Sequence, residues 1–194
     1  LLQAKAARDL IAMTGDFEKP KFFEYREKIC AHSRTQITGC TQCIDICSTA
    51  AITPSGDHVK VAAHMCMGCG GCATVCPSGA MTYAYPRVAD SGARLKTMLA
   101  TYAKAGGQRP CVLLHSDSDG RELVLRLARR GKGLPAHVLP LEVFPIASLG
   151  IDTMLGAIAY GASQIAILST GTEAPAYLAA LKRQMGYAQE ILTA

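Results

Sequence analysis

Residues 66–77 read Cys66-Met67-Gly68-Cys69-Gly70-Gly71-Cys72-Ala73-Thr74-Val75-Cys76-Pro77, four cysteines spaced by two, two and three residues and followed by proline. A related copy lies 29 residues upstream. Gly39-Cys40-Thr41-Gln42-Cys43-Ile44-Asp45-Ile46-Cys47-Ser48-Thr49-Ala50-Ala51-Ile52-Thr53 aligns without a gap on Gly68 to Thr82, and six of the fifteen positions are identical, three of them cysteine. Ile46 falls opposite Val75 and Ile52 opposite Met81, so apolar positions persist too. Two copies of one metal-binding unit, packed about a pseudo-twofold axis, are expected.

The spacing has a chemical meaning. A two-residue gap lets a tight loop wrap three thiolates around one corner of an iron-sulfur cube while backbone N–H groups face the sulfides, and the three-residue step carries the fourth cysteine to a neighbouring cluster. Gly68, Gly70 and Gly71 relieve the crowding such a loop imposes. Paired C-x2-C motifs also occur in zinc sites. Four cysteines in this spacing, closed by proline and repeated, favour iron and sulfur. The upstream copy departs from the pattern, because Ile37 stands where its first cysteine should be. The nearest substitute is Cys30, ten residues before Cys40, which can return if Ala31 to Gly39 forms a loop, as His32, Ser33, Arg34, Thr35, Gln36 and Thr38 suit it to do. The expected ligand sets are Cys30, Cys40, Cys43 and Cys76 for cluster I, and Cys66, Cys69, Cys72 and Cys47 for cluster II. The cofactors expected are two 4Fe-4S clusters. A three-iron 3Fe-4S cluster I, with Cys30 a buried structural thiol, is the alternative, and His32 as a ligand is a weaker one.

Residues 30–85 resemble a bacterial-type ferredoxin domain carrying two 4Fe-4S clusters, over a little under a third of the chain. The departures are Ile37 for cysteine and Ser48 where the family usually has proline. The resemblance implies a β-α-β-β-α-β unit with two clusters close enough for rapid electron exchange. Reduction potentials in such proteins are set by net charge, hydrogen bonds to sulfur and solvent exposure.

Composition agrees with a folded metal protein. Of 194 residues 49% are hydrophobic and 18% charged, enough to bury a core. The nine cysteines are not spread as in a disulfide scaffold, since eight lie between Cys30 and Cys76 and Cys111 stands apart. The formal charge of +5 invites a nucleic-acid reading. Each cluster with its four thiolates adds −2, so two of them bring the total to about +1 and that reading fades. Arg126, Arg129, Arg130 and Lys132 are expected as solvated helix surface. The longest weakly charged stretch, 137–162, is broken by Pro140, Glu142, Pro145 and Asp152, so no membrane span is expected. The chain starts on Leu1 and ends on a helical pattern, which we read as a piece of a longer polypeptide.

Four stretches follow: a helical arm over 1–29, the two-cluster unit over 30–85, a connector helix over 86–108 ended by Gly106-Gly107, and a small α/β domain over 109–194. In the last, strands at Cys111–Leu114, His137–Val143 and Gln164–Leu168 alternate with helices at Asp119–Arg130, Ile151–Tyr160 and Ala174–Met185. Alternation of this kind implies a parallel sheet covered on both faces. The expected fold class is therefore an α+β ferredoxin-like two-cluster domain followed by a small α/β domain with a parallel sheet. Ligands of such sheets sit beyond the strand ends, here His115 to Ser118, Phe144 to Ser148 and Ser169 to Thr172. No G-x-G-x-x-G and no P-loop occurs, so these loops read as turns and caps, His115 as a strand-end residue and Cys111 as core. This half, over roughly 108–185, is similar to the delta subunit of methyl-viologen-reducing hydrogenases, except that Ser169 to Pro175 holds no cysteine where that family carries an iron-sulfur centre. The resemblance implies a docking or structural domain, and iron-sulfur proteins of formate dehydrogenase systems as context.

The expected function is electron transfer, as a relay module of a larger cytoplasmic redox protein or complex with donor and acceptor proteins as partners. An iron-sulfur oxidoreductase with a substrate site at the strand ends is the alternative, and a cluster-stabilised binding or regulatory protein a third reading.

Overall fold

The computed structural model describes residues 4–5, 19–32 and 39–194. Its first half is built from short pieces: strand β1 (Phe23–Tyr25), helix α1 (Gln42–Asp45), strands β2 (Ile52–Ser55) and β3 (His58–Val61), helix α2 (Gly71–Thr74) and strand β4 (Met81–Tyr83). That is the β-α-β-β-α-β order. β1 pairs antiparallel with β4, Phe23 opposite Tyr83, and β2 with β3, Ile52 opposite Val61. Alternation along each strand turns Phe23, Ile52, Val59 and Met81 inward, where they form one apolar cluster with Cys43, Cys47, Cys66, Cys72 and Cys76 against it.

Strand β1 corrects one expectation, because it falls within the stretch read as a helical arm. Phe23 and Tyr25 alternate with Glu24, a period of two. Once Met81 and Tyr83 offer an apolar ladder, a strand buries what a helix could not. Of the rest of that arm, residues 1–3 and 6–18 lie outside the described residues.

Helix α3 (Val88–Lys104) joins the halves, its Leu95 and Leu99 buried four residues apart on one face. Then come β5 (Cys111–Ser116), α4 (Asp119–Arg130), β6 (Val138–Val143), α5 (Ile151–Ala159), β7 (Gln164–Ile167) and α6 (Pro175–Thr193). The sheet is parallel in the order β6-β5-β7. Val112 and Leu114 in the central strand, with Leu141 from β6, point to one face and meet Leu95, Leu99, Met154, Ala157 and Leu181 from α3, α5 and α6.

The opposite face is covered far less than expected. It carries α4 alone, and of that helix only Gly120 is buried. Leu123, Leu125 and Leu127 are each 43–44% exposed. Alternate positions on a helix lie about 200° apart at 3.6 residues per turn, so three leucines spaced by two cannot share one face. Polar contacts hold the helix down instead. Ser116 Oγ accepts the Gly120 N–H at 2.9 Å, Arg121 pairs with Glu142 at 2.8 Å, and Thr172 donates to Asp119 at 3.0 Å.

The two halves pack directly on each other. Helix α2 rests on α6 and on the 3-10 turn Ile146–Ser148. Thr74 Oγ1 donates to the buried Ala147 carbonyl at 2.7 Å. The rings of Phe22 and Phe144 stack with centroids 6.0 Å apart, and Tyr85 stands edge-on to both. No helix among the described residues is long and apolar enough to cross a membrane.

Candidate metal centre

All nine cysteines are free. Cys30 is buried and is brought next to Cys40 by a short backbone ladder: the Gly39 N–H donates to the His32 carbonyl at 2.6 Å and the Cys40 N–H to that of Ala31 at 3.1 Å. His32, itself buried, adds an Nδ1–H donated to the Cys40 carbonyl at 2.8 Å. That bond occupies one ring nitrogen of His32 as a clamp on the loop.

Local geometry gives Cys30 a counterpart in the second copy. A single 3-10 turn, Glu27–Ile29, leads into Cys30, and another, Ala63–Met65, leads into Cys66. The cysteines that follow have nearly the same backbone, φ −68° and ψ 134° against φ −66° and ψ 124°, and each N–H returns to the first residue of its turn. Cys66 precedes Cys69 by three residues and Cys30 precedes Cys40 by ten, so the upstream copy carries an insertion of seven residues between equivalent positions.

The thiols gather in two neighbourhoods. Burial pushes the Cys43 thiol up to about 11, and the charges of Cys76, Cys40 and Cys30 push the same way. Burial likewise pushes Cys72 up to about 12, reinforced by Cys69, Cys66, Cys43 and Cys47. Four thiolates packed together out of water repel one another, and a cationic inorganic core at their centre removes that penalty. Cys47, Cys66, Cys69 and Cys72 line one cavity of about 480 Å³ including its open mouth, closed by Ile46 and Ile52. Among the described residues no three His, Cys, Asp or Glu side chains converge closely enough to hold a single ion.

Two glycines shape the second loop. Gly68 and Gly70 have φ of 74° and 75°, the left-handed region. A Cβ on Gly68 would lie 2.7 Å from the Phe22 ring, and one on Gly70 would lie 2.4 Å from Ser148 Cβ.

Hydroxyl groups reach the sulfurs. Thr49 Oγ1 lies 3.7 Å from Cys47 Sγ and Ser78 Oγ lies 3.7 Å from Cys76 Sγ, at positions the repeat relates by 29 residues. The Met81 N–H donates to Cys76 Sγ at 3.3 Å. Burial and then the neighbouring Cys30 hold the Tyr25 phenol up at about 12. Burial and then the neighbouring Cys69 raise Tyr177 above the usual phenol range. Burial raises Tyr83 as well, with Cys69 and Cys66 adding to it, and its hydroxyl donates to the Gly68 carbonyl at 2.8 Å. The alignment of the two copies pairs Thr49 with Ser78 by itself. Nothing in the sequence marks Tyr177, which meets Ser48 across 129 residues of chain.

At the strand ends of the α/β half, polar groups satisfy one another. His115 is 5% exposed, and its Nδ1–H donates to the Ser116 carbonyl at 2.9 Å. Burial works against the Glu173 carboxylate, but N–H and hydroxyl groups of Thr170, the Ser169 hydroxyl and its own backbone N–H hold it below the usual range. With the Gly171 N–H also donating at 3.0 Å, Glu173 fills the cradle where an external anion would sit. Cys111 is buried at the start of the central strand, far along the chain from the other thiols.

Residues 37–86 match the sequence model of the 4Fe-4S dicluster domain, about a quarter of the chain. The match takes in Cys40, Cys43, Cys47, Cys66, Cys69, Cys72 and Cys76 and starts downstream of Cys30. No curated protein and no solved structure matches the chain. Geometry and family match agree on one conclusion: this part of the chain is an iron-sulfur segment of ferredoxin type, whose chemistry is electron transfer.

Proposed function

We propose that the first half holds two 4Fe-4S clusters, cluster I on Cys30, Cys40, Cys43 and Cys76 and cluster II on Cys47, Cys66, Cys69 and Cys72, and that the protein is an electron relay within a larger redox protein or complex. The observation that carries this reading is the gathering of the thiols: Cys43 has Cys76, Cys40 and Cys30 around it, Cys72 has Cys69, Cys66, Cys43 and Cys47, and Cys47, Cys66, Cys69 and Cys72 line one cavity. Each proposed ligand set takes one member from the other copy of the repeat. Such clusters take up and release single electrons and ask no acid, base or nucleophile of the protein. The chain's own task is to hold the thiolates, direct N–H and O–H groups at them, and keep water away with Phe23, Ile52, Val59 and Met81.

The two-cluster unit then reaches upstream of residue 30 to include β1, with α3 as connector and residues 109–194 as a supporting α/β domain. Redox proteins are the donor and acceptor. A hydrogenase- or formate-dehydrogenase-type system in the cytoplasm is the setting we propose, from the resemblance of residues 108–185 alone.

The test is Cys30→Ala, purified without oxygen, with iron and sulfide analysis and EPR. Loss of one cluster, or its conversion to a three-iron form, is expected, while unchanged iron and spectra refute the assignment of Cys30. A wild-type preparation that contains no sulfide refutes the whole reading.

A further inference from the structure

Helix α4 (Asp119–Arg130) leaves its apolar side chains uncovered: Leu123, Leu125 and Leu127 are exposed, and only Gly120 is buried. With about 100° between successive residues, Leu123, Arg126, Leu127 and Arg130 stand at i, i+3, i+4 and i+7 and form one stripe along the helix, with Arg129 beside it. The stripe is fixed outward. The first turn of α4 is pressed on the sheet, where a Cβ on Gly120 would lie 2.9 Å from Ser116 Oγ, and the same turn is tied down by Arg121 on Glu142 and by Thr172 on Asp119.

Charge singles out the same helix. Residues 119–132 hold five arginines and lysines against two acids, a net +3 out of +5 for the chain. With each proposed cluster and its thiolates adding about −2, everything outside this segment sums to about −2. Arg126 is paired with Glu122, whereas Arg129 and Arg130 form no ion pair among the described residues. The molecule is thus positive at α4 and negative at the clusters. These lie on opposite sides of the sheet, since the cysteine half rests on α6 and α4 covers the other face.

Leucines interleaved with arginines ask for apolar contact and carboxylates together. Nucleic acid meets arginine through its phosphates and leaves the leucines without partners. A second copy of the chain would set one +3 helix against another. A bilayer takes up a continuous apolar face, but Arg126 and Arg130 interrupt the stripe, and Leu125 lies about 200° from Leu123.

We propose that α4 anchors this protein to an acidic, leucine-bearing helix of a partner protein, which sets its leucines against Leu123 and Leu127 and its carboxylates on Arg129 and Arg130. This rests on the relay reading above and adds to it an anchor separate from the electron port. Attraction steers the acidic partner to α4 and repulsion keeps it off the clusters, which stay open to a different redox protein. A contact one 12-residue helix long, about 18 Å, belongs among small, transient interfaces.

The experiment uses the full chain, purified without oxygen and analysed for iron and sulfide, and a fluorescein-labelled synthetic helix with leucine at heptad positions a and d and glutamate at e and g. Stopped-flow anisotropy should show binding that weakens as ionic strength rises from about 0.01 M to about 0.15 M, where the screening length falls from about 30 Å to about 8 Å. Arg129→Glu combined with Arg130→Glu should slow association about tenfold and remove the salt dependence. Leu123→Gln combined with Leu127→Gln should speed dissociation about tenfold and keep the salt dependence. All four positions are exposed, so iron, sulfide and melting temperature of the variants should match wild type. The inference is overturned if the peptide does not bind, if a peptide with lysine for glutamate binds equally, or if phosphatidylserine vesicles or duplex DNA bind as tightly. Self-association of the chain that the α4 variants abolish overturns it too. Wild-type protein without iron and sulfide overturns the two-cluster reading instead.

Discussion

Replacing Gly70 by alanine adds one carbon to the loop between Cys69 and Cys72, and the structure says what it meets. Gly70 has φ 75°, a conformation that costs an L-residue about 1–2 kcal/mol. The new Cβ would also stand 2.4 Å from Ser148 Cβ, 2.7 Å from Ser148 Cα and 3.2 Å from the Tyr83 ring. Ser148 Cα is backbone, so no change of rotamer relieves the clash, and overpacking of this kind costs about 1–3 kcal/mol. Gly79 is the control. Its φ is 65° and nothing lies within 4 Å of its added Cβ, so Gly79→Ala carries the conformational cost alone. Gly70→Ala should therefore lose about 2–5 kcal/mol and Gly79→Ala about 1–2 kcal/mol. Anaerobic urea unfolding followed by circular dichroism separates them. With a slope of about 1–3 kcal/mol per molar urea, the extra loss moves the midpoint by roughly a further 1 M. Equal midpoints for the two variants would show that the second cysteine loop does not rest on the 146–148 turn.

Other perturbations test the same architecture. Thr74→Val leaves the buried Ala147 carbonyl without its donor, at a cost of about 1–3 kcal/mol, whereas Thr74→Ser should recover most of it in the same unfolding assay. The Glu173 carboxyl titrates below its ordinary value, so its contribution is fully present above the unfolded carboxylate pKa and is lost as pH falls through the lower folded value. The difference in melting temperature between wild type and Glu173→Gln should accordingly stay constant from pH 8 to 5.5, and a gap that closes within that window contradicts the cradle. Cys111→Ser should leave iron content unchanged by chemical analysis, because Cys111 belongs to the α/β sheet and not to either thiol neighbourhood.

The second cysteine run is legible because its thiols are local: three of them within seven residues need only a tight loop, and covalent spacing specifies that loop. The strands and helices after residue 109 were readable for a similar reason, since runs such as Cys111–Leu114 and Gln164–Leu168 are apolar and bounded by turn residues. Strand β1 was not. Three residues, Phe23 to Tyr25, carry too short a period to compete with a helical reading until Met81 to Tyr83 is known to lie beside them, Glu24 opposite Thr82 at 58 residues' separation. Cys30 could be nominated by counting thiols, but its equivalence to Cys66 rests on matching 3-10 turns that no composition reveals. Tyr177 and Ser148 touch the cysteine loops only after the halves dock, so no window of sequence contains them together with their partners.

The seven extra residues between Cys30 and Cys40 are closed at their base by the pairing of Ala31 and His32 with Gly39 and Cys40. Closing a chain segment at its base makes the rest tolerant of added length, since doubling a flexible segment costs only about 0.6 kcal/mol of closure entropy. A change of chain length between the two tied pairs therefore leaves the backbone of Cys30 and Cys40 in register.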